Sequence, residues 1–201
     1  MSKQDSWEDR YAGEGYLFGT EPNDFLVEQA GRLAPGARAL AVADGEGRNG
    51  VWLAEQGLDV LSVDFSANAL AKARALAADR GVPIETLQAD LMHWDWPVAA
   101  FDLVVTFFIQ PGSRDQRLLL ANIYQAVKPG GLLLFEAHAK AQAGNAFGGP
   151  EDPDHLYSSA TVRQALDGAE ILLLQEKTII RRRGRFPGKP AAVVRLVARR
   201  P

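Results

Sequence analysis

Gly45, Gly47 and Gly50 fall in the stretch LAVADGEGRNGVWLA, residues 40–54, at the spacing G-x-G-x-x-G. Glycine lets a backbone turn sharply and lets a ligand approach with no side chain between. Between a strand and a helix, this spacing cradles a dinucleotide or another nucleoside cofactor. Asp64 follows nineteen residues after Gly45. A carboxylate there can accept both hydroxyls of a ribose. Asp90, in QAD, can accept the exocyclic amine of an adenine, while the amide of Leu91 meets a ring nitrogen. Each signal alone has a plainer reading, a tight turn or a capping aspartate. Together they describe an adenosine lying across consecutive strand ends. For acid–base work the candidates are Glu136 and His138 in FEAH, which an extended strand places on one face. Their plainer readings are an ion-paired glutamate and a loop histidine. Arg114, His155 and the loop NAFGGPEDPDH could shape an acceptor pocket.

The elements that must hold these residues alternate. Residues 3–34 read as two short helices around a glycine-rich link, the second capped by Asn23 or Asp24. ARALAVA is a buried strand and GRNGVWLAEQ a helix closed by Gly57. LDVLSVD is a second strand. SANALAKARALAADR is a helix capped by Ser66 and ended by Gly81. PIETLQAD is a third strand. FDLVVTFFI is a fourth, apolar enough to lie inside a parallel sheet. SRDQRLLLANIYQAV is a helix stopped by KPGG, and LLLFEAH is the fifth strand. A long loop at 139–156 and a short helix follow. Two long strands joined by GRFPG close the chain as a hairpin. Strand–helix alternation gives an α/β sheet, mostly parallel, ending in the antiparallel hairpin. One domain is expected over 1–201, with a helical lid at 1–34 and the core at 37–201.

The composition limits the alternatives. The chain has 201 residues, is 47% hydrophobic and 23% charged, and has no cysteine. Disulfides, thiolate metal sites and a cysteine nucleophile are therefore excluded. Three scattered histidines leave no expected metal site. The start, MSKQDSWEDRY, is polar, so a cytoplasmic protein without a leader is expected. Net charge is −3, yet from Arg181 onward there are eight basic residues and no acid. The rest of the chain is acidic, which argues against a broad nucleic-acid footprint.

In this order, ADGEGRN, VDFS, QADL, FDLVV and VKPGG resemble the class I S-adenosylmethionine-dependent methyltransferases over nearly the whole chain. WEDRYAGEGYLFGTEPNDFL, GEGRNGVWLAEQG and GGPED are similar to their tellurite-resistance and thiopurine methyltransferase-like branch. The resemblance implies a doubly wound, Rossmann-like sheet of seven strands and S-adenosyl-L-methionine as cofactor. It implies that Gly45, Glu46 and Gly47 line the methionine and ribose portion, with Arg48 and Asn49 opening the next helix. Asp64, Phe65 and Ser66 would take the ribose, and Asp90 and Leu91 the adenine. Thr106, Phe107 and Phe108 would lie near the sulfonium, and Trp7, Tyr11 and Tyr16 would belong to the lid. One departure stands out. The family places an acid in the first strand where this chain has Ala41, or Ala43 if the register slips; either Asp44, just before Gly45, takes over part of that role or backbone carbonyls hold the cofactor's amino group.

The expected activity is methyl transfer to a small-molecule acceptor. The two alternatives are an NAD(P)-binding oxidoreductase and an adenosine-cofactor-binding protein whose catalysis has lapsed. The sequence fixes neither the acceptor nor the oligomeric state.

Overall fold

The computed structural model describes residues 3–201, with side chains from Ser6 onward. Residues 1 and 2 of the expected lid lie outside the described residues. Two compact units divide the chain, one reaching Asp95 and taking in Arg183–Arg185, the other made of Trp96–Arg182 and Phe186–Pro201. The seven strands form one mixed sheet in the order β3-β2-β1-β4-β5-β7-β6.

The first unit opens with helices α1 (Lys3–Tyr11) and α2 (Asp24–Glu28). Asn23, and not Asp24, caps α2, its side chain accepting from Phe25 N and Leu26 N. The sheet part runs β1 (Arg38–Val42), α3 (Arg48–Glu55), β2 (Asp59–Asp64), α4 (Ala67–Arg80) and β3 (Glu85–Gln88). β1 pairs parallel to β2, and β2 parallel to β3. Such strands are covered on both faces, which is why Leu40, Val42, Val60 and Val63 are buried. Ser66 caps α4 through Ala69 N, and Gly81 ends it in the left-handed conformation. Tyr16 packs on Val51, Leu76 and Ala77, joining the N-terminal segment to α3 and α4.

β3 is shorter than the expected 83–90. Pro83 has no N–H to give to a ladder. At the other end the Asp90 carboxylate accepts from Met92 N at 3.0 Å and turns the chain out of the sheet.

The second unit holds β4 (Phe101–Phe107), α5 (Ser113–Gln125), β5 (Val127–His138), α6 (Ser159–Ala165), β6 (Glu170–Ile180) and β7 (Pro190–Arg199). β4 and β5 are parallel, while β7 is antiparallel to both β5 and β6. VKPGG is not a helix stop followed by a turn but the irregular start of β5. Gly130 N donates to Arg200 O at 2.7 Å, and Arg200 N donates to Gly131 O at 3.0 Å. β6 ends at Ile180, three residues before the expected RRR end. Arg181 N bonds Lys189 O and Gly188 N bonds Arg181 O, so the hairpin turn begins there. Within the described residues no helix is long and apolar enough to cross a membrane.

Candidate functional site

In the first unit the site is built around Asp64 at the end of β2. Its side chain is almost fully buried. Gly45 N donates to Oδ2 at 2.8 Å, and Ser66 N donates to Oδ1 at 3.0 Å. The carboxylate thereby ties the glycine loop after β1 to the start of α4. Burial pushes the carboxyl up to about 6, while backbone donors at Ser66, Gly45 and Phe65 hold it from rising further.

The three glycines have separate jobs. Gly45 (φ +59°) turns the chain, and a Cβ on it would lie 2.9 Å from Tyr11 Oη. Gly47 (φ +85°) lies against α4, where a Cβ would meet Ala73 Cβ at 2.6 Å and Ala73 Cα at 2.8 Å. Gly50 N donates to both oxygens of Asp44, at 3.3 and 3.1 Å, and a Cβ there would lie 2.5 Å from Asp44 Oδ2. Gly50 thus serves the buried Asp44 and leaves no role for a pyrophosphate. Gly47→Ala combines a left-handed backbone with a clash against helix backbone that cannot move aside. It is expected to cost about 2–4 kcal/mol of folding stability, measured by urea denaturation.

Asp44 is committed to the loop. It also accepts from Ser62 Oγ at 2.9 Å, and burial pushes its carboxyl above the ordinary value against these bonds. Ala43, just before it, holds φ +51°, a costly conformation for a residue with a Cβ. Ala41 is buried in β1 beside Ser62. The acid missing at Ala41 is therefore not replaced by a free one at Asp44.

Glu46 and Asn49 fasten the N-terminal segment. Glu46 accepts from Leu17 N at 2.7 Å and pairs with Lys72 Nζ at 2.8 Å. Lys72 also donates to Gly13 O and Gly15 O. Asn49 Oδ1 accepts from Asn23 N at 2.9 Å. Tyr11 stacks on Trp7, with ring centroids 5.6 Å apart, and is buried over Gly45. Burial, then the charges of Asp64 and Glu46, raise its hydroxyl pKa, so it stays protonated. Tyr16 donates to Lys72 O at 3.3 Å. Gln88 Nε2 donates to Phe65 O. Asp90 is spent on a turn, with Oδ2 also 2.9 Å from His93 Nδ1, while Leu91 beside it is buried.

The second unit has its own polar cluster. Glu136 is paired with Arg195 at 2.5 Å, both side chains almost wholly buried. The pairing follows the ladder, where Glu136 lies opposite Arg195. His138 Nδ1 lies 2.6 Å from Gln110 Oε1, and Arg181 Nη2 lies 3.0 Å from Nε2. A guanidinium only donates, so Nε2 accepts and the ring proton is on Nδ1. Burial, then the Arg181 charge, push His138 down to about 4. It is a neutral side chain at physiological pH. Phe108 packs its ring 4.7 Å from His138 and holds φ +61°. Thr106, at the end of β4 before the buried Phe107, has a buried hydroxyl with no partner among the described residues. His155 Nδ1 bonds Gln110 O, and Gln110 Nε2 donates to His155 O. Asp154 Oδ2 accepts from Ser113 N, beside Arg114. Gln110, Arg181 and Arg195 are absent from the sequence reading as site residues, while Asp154 lies in the loop NAFGGPEDPDH expected to shape an acceptor pocket. The contacts of the first three are long-range, and no local pattern marks them.

The methyltransferase domain family matches residues 39–131, the segment that carries the glycine loop and Asp64. The methyltransferase match extends to curated relatives. A glycine/sarcosine N-methyltransferase from Halorhodospira halochloris is 31% identical over 138 residues, which is 65% of this chain and 47% of that protein. A demethylmenaquinone methyltransferase from Thermus thermophilus is 34% identical over 113 residues, 55% of this chain and 49% of that protein. The chain thus spans about half the length of these curated relatives. In three dimensions the chain is similar to TehB from Haemophilus influenzae, with TM-score 0.74 and 18% identity. That alignment covers 100% of this chain and 68% of the other.

Proposed function

We propose that the chain is an S-adenosylmethionine-dependent methyltransferase acting on a small-molecule acceptor by direct in-line transfer. The observation that carries this is Asp64. It is a buried carboxylate at a strand end, clamped by Gly45 N and Ser66 N, with acceptor capacity left for a ribose hydroxyl. The residues fit the nucleoside. Gly45 opens the backbone beside the carboxylate, and α3 begins at Arg48 with amide donors that favour an anion such as an amino acid carboxylate. The relatives named for glycine/sarcosine and demethylmenaquinone support a small acceptor.

When bound, the cofactor supplies a methyl group already activated by a sulfonium. The protein's share is to orient, to exclude water and to manage any proton. Asp64 would hold the ribose, with Gly45, Glu46 and Gly47 beside the methionine portion. Trp7, Tyr11 and Tyr16 would cover the site, and Asp90 and Leu91 would border the adenine. Thr106 and Phe107 keep the sulfonium role that the family resemblance implies. His138 is a weak base, since a pKa near 4 leaves it little proton affinity, and its Nε2 is already bonded. Glu136 is neutralised by Arg195. This arrangement favours an acceptor atom that is nucleophilic without proton removal.

Calorimetry with S-adenosylmethionine, S-adenosylhomocysteine and NAD tests the reading. Binding of the first two and not of NAD is expected. Preference for NAD would sink it.

A further inference from the structure

Helix α1 carries a second carboxylate toward the same region. Glu8 Oε1 accepts from Asn68 N at 3.2 Å, and Asn68 Nδ2 donates back to Glu8 O at 3.4 Å. The other oxygen, Glu8 Oε2, is buried and has no hydrogen-bond partner among the described residues. Glu8 and Tyr11 are three residues apart, so they share a face of α1. Tyr11 lies over Gly45, and Glu8 lies on Asn68, two residues beyond Ser66. Gly45 and Ser66 are the two residues whose N–H groups clamp Asp64. The Glu8–Tyr11 face therefore spans the clamp from one end to the other.

We infer that Glu8 is a further binding residue for the nucleoside, accepting through Oε2 the ribose hydroxyl that Asp64 does not take. The inference rests on the cofactor reading above. Its physical basis is that a buried acceptor without a donor is costly, and more so when it carries charge. With α1 docked and no donor present, that cost stands against the docked state. A ribose hydroxyl beside Asp64 is a donor of the right kind. Binding would then satisfy Oε2 and hold α1 down in one event, so that the lid is favoured only over a cofactor. The bonds to Asn68 explain why α1 docks on α4. They leave the second oxygen unexplained.

The test is isothermal titration of Glu8→Ala with S-adenosylhomocysteine and with its 2′-deoxy and 3′-deoxy analogues. The variant is expected to bind S-adenosylhomocysteine about tenfold more weakly than wild type. Against one of the two deoxy analogues, wild type and variant should be equal within twofold, because that ligand lacks the hydroxyl Glu8 takes. An unchanged affinity for S-adenosylhomocysteine overturns the inference. So does an equal loss against all three ligands, which would make Glu8 a packing residue only. If Glu8→Ala does not fold, Glu8→Gln takes its place, since it keeps an acceptor for Asn68 N. The same pattern across the three ligands is then required, with a loss of threefold or more. Wild-type protein that ignores S-adenosylhomocysteine altogether refutes the cofactor reading instead, so the two failures are distinct.

Discussion

Asp64→Ala is expected to weaken S-adenosylhomocysteine binding by about a hundredfold or more while leaving the fold nearly as stable. A hydrogen bond to a charged group contributes about 1.5–3 kcal/mol, so losing the ribose contact, at the upper end of that range, accounts for that factor. Two opposing effects leave stability nearly unchanged. The folded carboxyl is raised from 3.8 to about 6, so ionising it at pH 7 costs about 3 kcal/mol in the fold, and the substitution removes that cost. Against this, Gly45 N and Ser66 N lose their acceptor, at about 1–3 kcal/mol each if left unpaired. The melting temperature should move by only a few degrees. In the wild type the raised pKa means that Asp64's favourable contribution is present below about pH 4 and is lost as pH rises through about 6. Binding runs the other way. The ionised carboxylate is the acceptor for a ribose hydroxyl, so affinity should fall by up to tenfold per unit below about pH 6. Titrations at pH 5 and 7.5 check this, and an Asp64→Ala affinity equal to wild type would displace the ribose from this carboxylate.

Arg195→Met should be the most damaging single substitution for folding. Arg195 and Glu136 are both almost wholly buried, at 2.5 Å. Removing Arg195 takes the buried ion-pair partner from Glu136 inside the sheet, at a cost of about 3–5 kcal/mol. Lowering the pH should recover part of this loss, because a proton on the carboxyl removes the charge. Replacing both residues by methionine should restore stability to within about 1 kcal/mol of wild type, since two apolar side chains of similar size need no pairing. Urea denaturation of the two variants at pH 5 and 7.5 decides this. The double variant also bears on catalysis. Retained turnover would remove Glu136 from the list of proton acceptors, and lost turnover with normal stability would return it.

The basic run after Arg181 illustrates how tertiary contacts change a composition signal. Arg195 pairs with Glu136, Arg199 with Glu170 and Arg183 with Asp24. Arg200 donates to Gln125 O and Val127 O. These charges are largely consumed inside the chain, so the cluster is a poor guide to an external partner. His138 is a similar case. In FEAH it reads as an available base, and the structure surrounds it with Gln110, Arg181 and Phe108.

The sequence alone determined the strand–helix alternation, the caps at Ser66 and Gly81, and the presence of Asp64 at the end of β2. These follow from local patterns: apolar periodicity, side chains that bond the nearest backbone, and glycine where φ is positive. It also determined that Gly45, Gly47 and Gly50 mattered, but not what each does. Only the tertiary structure decided that Gly47 clears Ala73, that Gly50 clears Asp44, and that Asp44 is already spent. The same holds for Glu8, which reaches Asn68 across sixty residues of chain. Whether a carboxylate binds a ligand or its own backbone depends on which donors lie within about 3 Å of it. That distance is set by packing between remote segments, and no spacing in a linear sequence contains it.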